Sequence, residues 1–289
     1  MSRAGREVVE RWEARGRYFS ADGVKSFVVD EGDGDPVLLM HGVPASAFLY
    51  RKVISELPAR GLRGVAFDLP GLGLAERPPD YDYSWSGLGR FSLAAIDALG
   101  LERFHLVVHD IGGPVGFEIA AAVPERVLSL TVLNTLIKVD GFRKPPVMRP
   151  FGVRGAGELW VGSMNELTIV PLMWMQGIQN RAATPTAELR AYARLLKRGD
   201  RGKAFLKIMR GFEPTAEKER LYTGALQAAE YPKQIVWGAR DTALRAAKQG
   251  REAREILADA RYIEVPGKHF LQEDQAPALA EAIAELAAT

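Results

Sequence analysis

The feature that most constrains the fold of this chain is an apolar run that leads into a tight turn and then a helix. Residues 104–108 are aromatic, aliphatic or β-branched apart from one histidine, a composition typical of a buried strand. The turn follows at His109-Asp110-Ile111-Gly112-Gly113, and Pro114 suits the first turn of a helix, where its missing N–H is not needed. This pattern puts Asp110 at the carboxyl end of a strand, where open α/β sheets bind their ligands.

Strand signals alternate with helical patterns on both sides of this turn. The signals lie at residues 24–30, 36–40, 64–68, 104–108, 127–133, 234–238 and 261–265. An Ala-rich helix at 276–288 ends the chain. Because parallel neighbours need crossover connections, the alternation predicts an α/β fold with a mostly parallel sheet flanked by helices.

The alternation stops between residues 139 and 226, where helical patterns replace the strand signals. The clearest helix starts at Thr184-Pro185, and its apolar face is formed by Leu189, Tyr192, Ala193 and Leu196. We therefore predict a core domain made of residues 1–138 and 227–289. Residues 139–226 are expected to form a helical cap, or lid, inserted in that core.

Composition narrows the possible functions. The 289 residues include no cysteine, which excludes disulfides, thiolate catalysis and Cys-ligated metals, and fits a reducing compartment. The net charge is +2 without a long basic run, so we expect no nucleic-acid partner. No apolar run approaches the about 18 residues of a membrane span, and the start lacks a signal-peptide core. We therefore expect a cytoplasmic protein that is a monomer or a homodimer. We also expect it to act on a small-molecule substrate without a cofactor or a metal.

Two further polar residues follow the late strand signals. Asp241 comes just after 234–238, and His269 comes just after 261–265. Of the four histidines, His269 is the one in a loop after a strand, where the base of a nucleophile–acid–histidine triad falls. Taken singly, Asp110 could cap its helix and His269 could be a surface residue. Their order and strand-end positions favour catalysis.

The chain resembles the α/β-hydrolases that use an aspartate nucleophile, namely the haloalkane dehalogenases and epoxide hydrolases. The motifs that carry the resemblance follow that group's order and span both halves of the predicted core. They are His41-Gly42-Val43-Pro44, Asp68 with Gly71 and Gly73, His109-Asp110-Ile111-Gly112-Gly113, Asp241, and His269-Phe270-Leu271-Gln272-Glu273. The resemblance implies an α/β-hydrolase fold with an inserted helical cap.

The resemblance also implies roles for the matching residues. Asp110, ionised at neutral pH, would displace a leaving group from an sp³ carbon and form a covalent alkyl ester. His269, oriented by Asp241, would activate the water that hydrolyses this ester. The backbone N–H groups of Val43 and Ile111 would form the oxyanion hole.

Two leaving groups are compatible with this route, and a halide is the first. Haloalkane dehalogenases hold the departing halide with N–H donors on the side chain after the nucleophile and often on an asparagine after the His-Gly pair. Here those positions are Ile111 and Val43, whose side chains have no donor. Trp160 in the predicted cap offers one indole N–H.

An epoxide is the second possibility, and its alkoxide needs a proton donor. Epoxide hydrolases use cap tyrosines, for which Tyr192 and Tyr222 are the candidates here, although Met209-Arg210 stands where the group's second tyrosine would precede an arginine. Because two missing halide donors are harder to offset than a relocated tyrosine, we expect an epoxide hydrolase acting on a small apolar substrate. Haloalkane dehalogenation is the alternative, and a non-catalytic binding protein on a hydrolase frame is the alternative from another class.

Overall fold

A computed structural model of the protein describes residues 2–289, which are organised around one eight-stranded sheet. The strands are β1 (Arg17–Ala21), β2 (Val24–Glu31), β3 (Asp35–Met40), β4 (Leu62–Phe67), β5 (Phe104–Asp110), β6 (Val127–Thr135), β7 (Lys233–Gly238) and β8 (Arg261–Val265). Their order across the sheet is β1-β2-β4-β3-β5-β6-β7-β8. Only β2 pairs antiparallel, with β1 and β4, and the remaining pairs are parallel. The prediction of a mostly parallel sheet is confirmed.

Strand β5 lies inside the sheet, and each of its seven residues is buried. Its parallel neighbours are β3 and β6, in registers that pair Val108 with Met40 and His109 with Leu133. β7 is the next strand after β6 in the sheet. Since these strands are parallel, their carboxyl ends meet at one edge of the sheet, and residues just after them are brought together there.

Helices flank the sheet and fill the long segment between β6 and β7. They are α1 (Arg3–Glu13), α2 (Arg51–Glu56), α3 (Trp85–Ala98), α4 (Gly112–Ala122), α5 (Ala156–Ser163), α6 (Ile169–Gln176), α7 (Thr186–Lys197), α8 (Lys203–Arg210), α9 (Ala216–Ala228), α10 (Arg251–Ile256), α11 (Leu271–Asp274) and α12 (Ala276–Ala287). The start predicted at Thr184-Pro185 corresponds to α7, whose four apolar-face residues are buried. Within residues 2–289, no helix combines the length and apolar character needed to cross a bilayer.

The five helices between β6 and β7 pack against different parts of the protein. α5 contacts α8, and α6 contacts α7. In contrast, α9 packs on α4, with the rings of Tyr222 and Phe117 centred 5.7 Å apart. We therefore propose that the cap consists of α5–α8 and ends before α9, earlier than the boundary at residue 226 expected from sequence.

Candidate active site

Asp110 is the last residue of β5 and has a positive φ of 53°. α4 begins two residues later at Gly112, where an added Cβ would overlap the carbonyl oxygen of Met40. Glycine is therefore required where this turn passes β3. A non-glycine residue in the left-handed region is strained, and such strain concentrates at functional sites.

The Asp110 side chain does not act as a helix cap. The residue at the N-cap of α4 is Ile111, which makes no side-chain capping hydrogen bond. Instead, Oδ1 of Asp110 accepts a hydrogen bond of 2.8 Å from the backbone N–H of Val43, and the backbone of Ile111 also hydrogen-bonds to this carboxylate. Two backbone N–H groups thus converge on the carboxylate, which is the arrangement that an oxyanion requires.

The structure brings Asp110, His269 and Asp241 together at the carboxyl edge of the sheet. Nδ1 of His269 lies 2.8 Å from Oδ2 of Asp241, and Nε2 lies 3.4 Å from Oδ2 of Asp110. All three residues are buried. The geometry is that of a nucleophile, a base within reach of it, and an acid that fixes the orientation and tautomer of the base.

Asp241 is itself held by hydrogen bonds to both of its carboxylate oxygens. Oδ1 accepts from the backbone N–H groups of Ala243 and Leu244, at 2.7 and 3.0 Å. Oδ2 accepts from Nδ2 of Asn134 at 2.6 Å, and Oδ1 of Asn134 accepts from the N–H of Gly238. Sequence reasoning missed Asn134, although it lies near the end of β6, at the edge where Asp110 and Asp241 also lie.

The three buried groups shift one another's pKa values. Burial alone would raise the pKa values of Asp110 and Asp241, but the hydrogen bonds and charge of His269 outweigh burial and lower both. Burial alone would lower the pKa of His269, but the two carboxylates raise it to about 10. The resting site is therefore an imidazolium between two carboxylates, and Asp110 is ionised.

The other three histidines are bonded within the core, outside the triad. Nε2 of His41 accepts from the N–H of Leu69 at 3.1 Å, and burial lowers the pKa of His41 to about 4. His109 donates from Nε2 to the carbonyl oxygen of His269 at 2.8 Å, and His105 pairs with a serine of β6. Among residues 2–289, no group of three or more His, Asp or Glu side chains could hold a metal ion.

A cleft opens above Asp110 and His269, and its lining is mainly apolar. It encloses about 920 Å³ including its opening to solvent. Its apolar walls include Leu136, Val147, Met148, Phe151, Met164, Ile169, Leu172, Met173, Phe205, Phe212 and Phe270. The lining side chains with N–H donors, apart from His269, are Lys144, Trp160 and Gln176. A concave, largely apolar site with few polar groups suits a small organic ligand.

A model of the alpha/beta hydrolase fold matches residues 35–276. This stretch includes the elbow, which is the turn from β5 to α4 at Asp110, and also Asp241 and His269. The chain belongs to this family. This α/β-hydrolase is 29% identical over 276 residues to haloalkane dehalogenase 2 of Mycobacterium bovis, and the match covers 93% of each chain.

Solved structures of α/β-hydrolases share its fold. The haloalkane dehalogenase DbeA of Bradyrhizobium elkani has a TM-score of 0.80 and 24% identity, with 94% of this chain and 98% of that chain covered. An epoxide hydrolase of Vigna radiata has a TM-score of 0.73 and 22% identity, with 93% and 96% covered. At these identities the two structures support the fold and not a particular reaction.

The two tyrosines expected as proton donors do not line the cleft of this α/β-hydrolase. The hydroxyl of Tyr192 donates to Glu273, and that of Tyr222 donates to Oε1 of Glu118 at 2.6 Å. This placement departs from the sequence expectation because carboxylates of the core engage both hydroxyls, the buried Glu273 and the partly buried Glu118. Trp160 does line the cleft and is 41% exposed.

Proposed function

We propose that this α/β-hydrolase cleaves a bond at an sp³ carbon through a covalent alkyl ester on Asp110. The observation that carries the proposal is a carboxylate at the elbow, beside an imidazole that a second carboxylate orients. A serine must lose a proton before it attacks, whereas His269 keeps the pKa of Asp110 below its usual range. Asp110 is therefore a nucleophile that needs no prior proton transfer.

In the first step, Oδ2 of Asp110 attacks the substrate carbon opposite the leaving group. A carbon–oxygen bond forms while the bond to the leaving group breaks, and the leaving group departs with the electron pair. Oδ1 stays against the N–H of Val43. The result is an alkyl ester of Asp110 inside the cleft.

In the second step, His269 acts as a base. Alkylation removes the negative charge of Asp110, and with it one of the interactions that raise the pKa of His269. The imidazolium then releases its proton to solvent, and neutral His269 takes a proton from water as the water oxygen adds to the ester carbonyl carbon. The N–H groups of Val43 and Ile111 stabilise the oxyanion. Collapse breaks the bond between the carbonyl carbon and the alkoxy oxygen, and His269 returns the proton to the alcohol. The carboxylic acid of Asp110 then passes its proton to His269, which restores the carboxylate and the resting imidazolium.

A halide is the leaving group that suits this cleft better. It departs as a stable anion, whereas an alkoxide needs an acid. The hydroxyls of Tyr192 and Tyr222 are engaged by Glu273 and Glu118 outside the cleft, while the indole of Trp160 lines it. The Mycobacterium bovis relative also bears the name of a haloalkane dehalogenase. We therefore propose that the protein is a haloalkane dehalogenase acting on small apolar substrates.

Epoxide opening, which the sequence pattern favours, is the second candidate. The side chains of Val43 and Ile111 line the cleft beside Asp110 and offer no N–H to a halide, which supports this alternative. Its acid would differ from the cap tyrosines. The ammonium group of Lys144, on the cleft wall, is a cation that could donate the proton.

A side-by-side assay tests the proposal. Purified protein is incubated with 1-bromohexane and with styrene oxide, and bromide and diol are quantified against Asp110→Asn as the background. Bromide release above that background without diol is expected. Diol alone would favour epoxide hydrolysis, and neither product would favour the non-catalytic binding protein.

A further inference from the structure

A basic groove adjoins the mouth of the cleft. Groove and cleft are continuous, since both are lined by Phe142, Lys144, Pro145 and Ala243. Six cations line the groove against three carboxylates, and the cations are Lys138, Arg143, Lys144, Arg149, Arg245 and Lys248. The opening therefore carries an excess of positive charge, on a chain whose net charge is only +2.

Most of these cations lack a carboxylate partner. Within residues 2–289, the side chains of Arg143, Arg245 and Lys248 make no hydrogen bond or ion pair. Lys138 lies 3.4 Å from Glu255 in an exposed pair, which is worth little energetically. Unpaired charges of one sign around a single opening attract ligands of the opposite sign.

Lys144 stands where the groove meets the cleft. It lines both, and its Nζ lies 4.3 Å from the centre of the Phe212 ring, so an aromatic face holds the ammonium group at the junction. Burial lowers the pKa of Lys144, and no carboxylate offsets this effect. A half-buried cation without an anionic partner is a natural contact for an anionic ligand group.

We propose that the physiological substrates are haloalkanes whose far end carries an anionic group, a carboxylate or a phosphate. The halogenated end would lie in the apolar cleft beside Asp110, and the anion would lie in the groove against Lys144, Arg143 and Arg245. The product is the corresponding hydroxy acid or hydroxyalkyl phosphate. This inference rests on the proposed dehalogenation.

The test compares bromide release from six-carbon substrates that differ at the far end. The substrates are 6-bromohexanoate, 6-bromohexyl phosphate, the neutral 6-bromohexanamide, 1-bromohexane and (6-bromohexyl)trimethylammonium. At low ionic strength we expect kcat/KM for an anionic substrate to exceed that for the amide by about fivefold, and the cationic substrate to be the poorest. Added sodium sulfate should shrink the difference. The ratio between the two anions identifies the preferred headgroup.

Charge-removing variants connect the preference to the groove. In Arg143→Gln/Arg245→Gln the anion-to-amide ratio of kcat/KM should fall towards one. The matched control Arg11→Gln/Lys203→Gln removes two exposed cations outside the groove and should keep the wild-type ratio. Carboxylate chains of four to ten carbons should give an optimum length, because the anion must span from Asp110 to the groove.

The failures can be told apart. The protein could release bromide from 1-bromohexane and show the same kcat/KM for the amide as for both anions. That result would overturn the groove proposal and leave dehalogenation intact. An equal loss of preference in both double variants would also overturn it. No bromide from any substrate would overturn dehalogenation, and the groove proposal with it.

Discussion

The side chain of Asn134 donates a 2.6 Å hydrogen bond to Oδ2 of Asp241, the same oxygen that faces the imidazole of His269. Because the amide oxygen of Asn134 accepts from the N–H of Gly238, the end of β6 is tied to the end of β7 beside Asp241. In the proposed mechanism, Asn134 is thus a positioning residue for the second chemical step.

Asn134→Ala should therefore slow hydrolysis of the ester about tenfold and leave ester formation within about twofold of wild type, because orientation of His269 matters only after alkylation. Rapid-quench kinetics with 1-bromohexane separate the two steps. Gln234→Ala is the matched control, since it removes another buried amide of the same sheet, bonded to Thr131 and Ala282. If both variants change the ratio of the ester-formation rate to the ester-hydrolysis rate alike, the positioning role is disproved.

The two steps should respond differently to pH. Ester formation needs the Asp110 carboxylate, whose pKa is lowered by His269, so its rate should stay constant from pH 8 down to about pH 5. Ester hydrolysis needs neutral His269. In the ester the charge of Asp110 is absent and the pKa of His269 lies below its resting value of about 10, so a falling pH protonates the imidazole, slows hydrolysis and lets the ester accumulate. Single-turnover measurements across this range test the difference, and parallel profiles would contradict it.

Trp160→Phe probes the leaving group. Removing the indole N–H from the cleft wall should slow bromide-releasing ester formation about tenfold, the worth of one hydrogen bond to a charged group. Trp174→Phe is the control, because Trp174 lies on the neighbouring helix α6 and does not line the cleft. Stopped-flow burst rates measure the effect. An equal rate in wild type and Trp160→Phe would remove Trp160 from the halide site.

A buried ion pair stabilises the region that follows His269. Arg51 donates to both carboxylate oxygens of Glu273, at 2.6 and 2.7 Å. Glu273→Gln leaves the buried Arg51 with Glu188 as its remaining carboxylate partner and should lower the free energy of unfolding by about 3 kcal/mol. In Glu285→Gln, which breaks an exposed pair with Arg261, the loss should be about 0–1 kcal/mol. Urea unfolding at pH 7 compares the two variants, and equal losses would contradict this account.

The contribution of Glu273 to the free energy of unfolding should also depend on pH. Burial would raise its pKa, but Arg51 and Lys52 outweigh burial and lower it to about 2. Because the folded-state pKa lies below the ordinary glutamate value of about 4.5, the stabilisation is present above about pH 4.5 and lost as the pH falls towards 2. The difference in unfolding free energy between wild type and Glu273→Gln should therefore shrink between pH 5 and pH 3. A difference in unfolding free energy that stays constant over this range would argue against stabilisation by the charge of Glu273.

Strand ends explain why the triad could be predicted. Asp110, Asp241 and His269 each end or follow a strand whose signal is local, and parallel strands bring such positions to one edge. Asn134 obeys the same rule and could have been found by extending it to amides. β1 was not predicted, because Arg17–Ala21 is a short, largely exposed edge strand without a clear apolar pattern.

The hydrogen-bond partners of the cap tyrosines could not be predicted from the local sequence pattern. Periodicity predicts that Tyr192 is buried, but its hydroxyl donates to Glu273, which lies 81 residues away in sequence. That pairing depends on how α7 packs against the core, and helical spacing carries no information about it. The leaving group depends on such placements, so the one we propose from the structure differs from the one that the sequence pattern favours.

Intact-protein mass spectrometry of His269→Gln after incubation with 1-bromohexane tests nucleophilic catalysis by Asp110 directly. This variant keeps the nucleophile but lacks the base, so the hexyl ester should accumulate and peptide mapping should locate it on Asp110. Asp110→Asn/His269→Gln should gain no mass. Absence of an adduct on His269→Gln together with bromide release by the wild type, or an adduct on another residue, would contradict nucleophilic catalysis by Asp110.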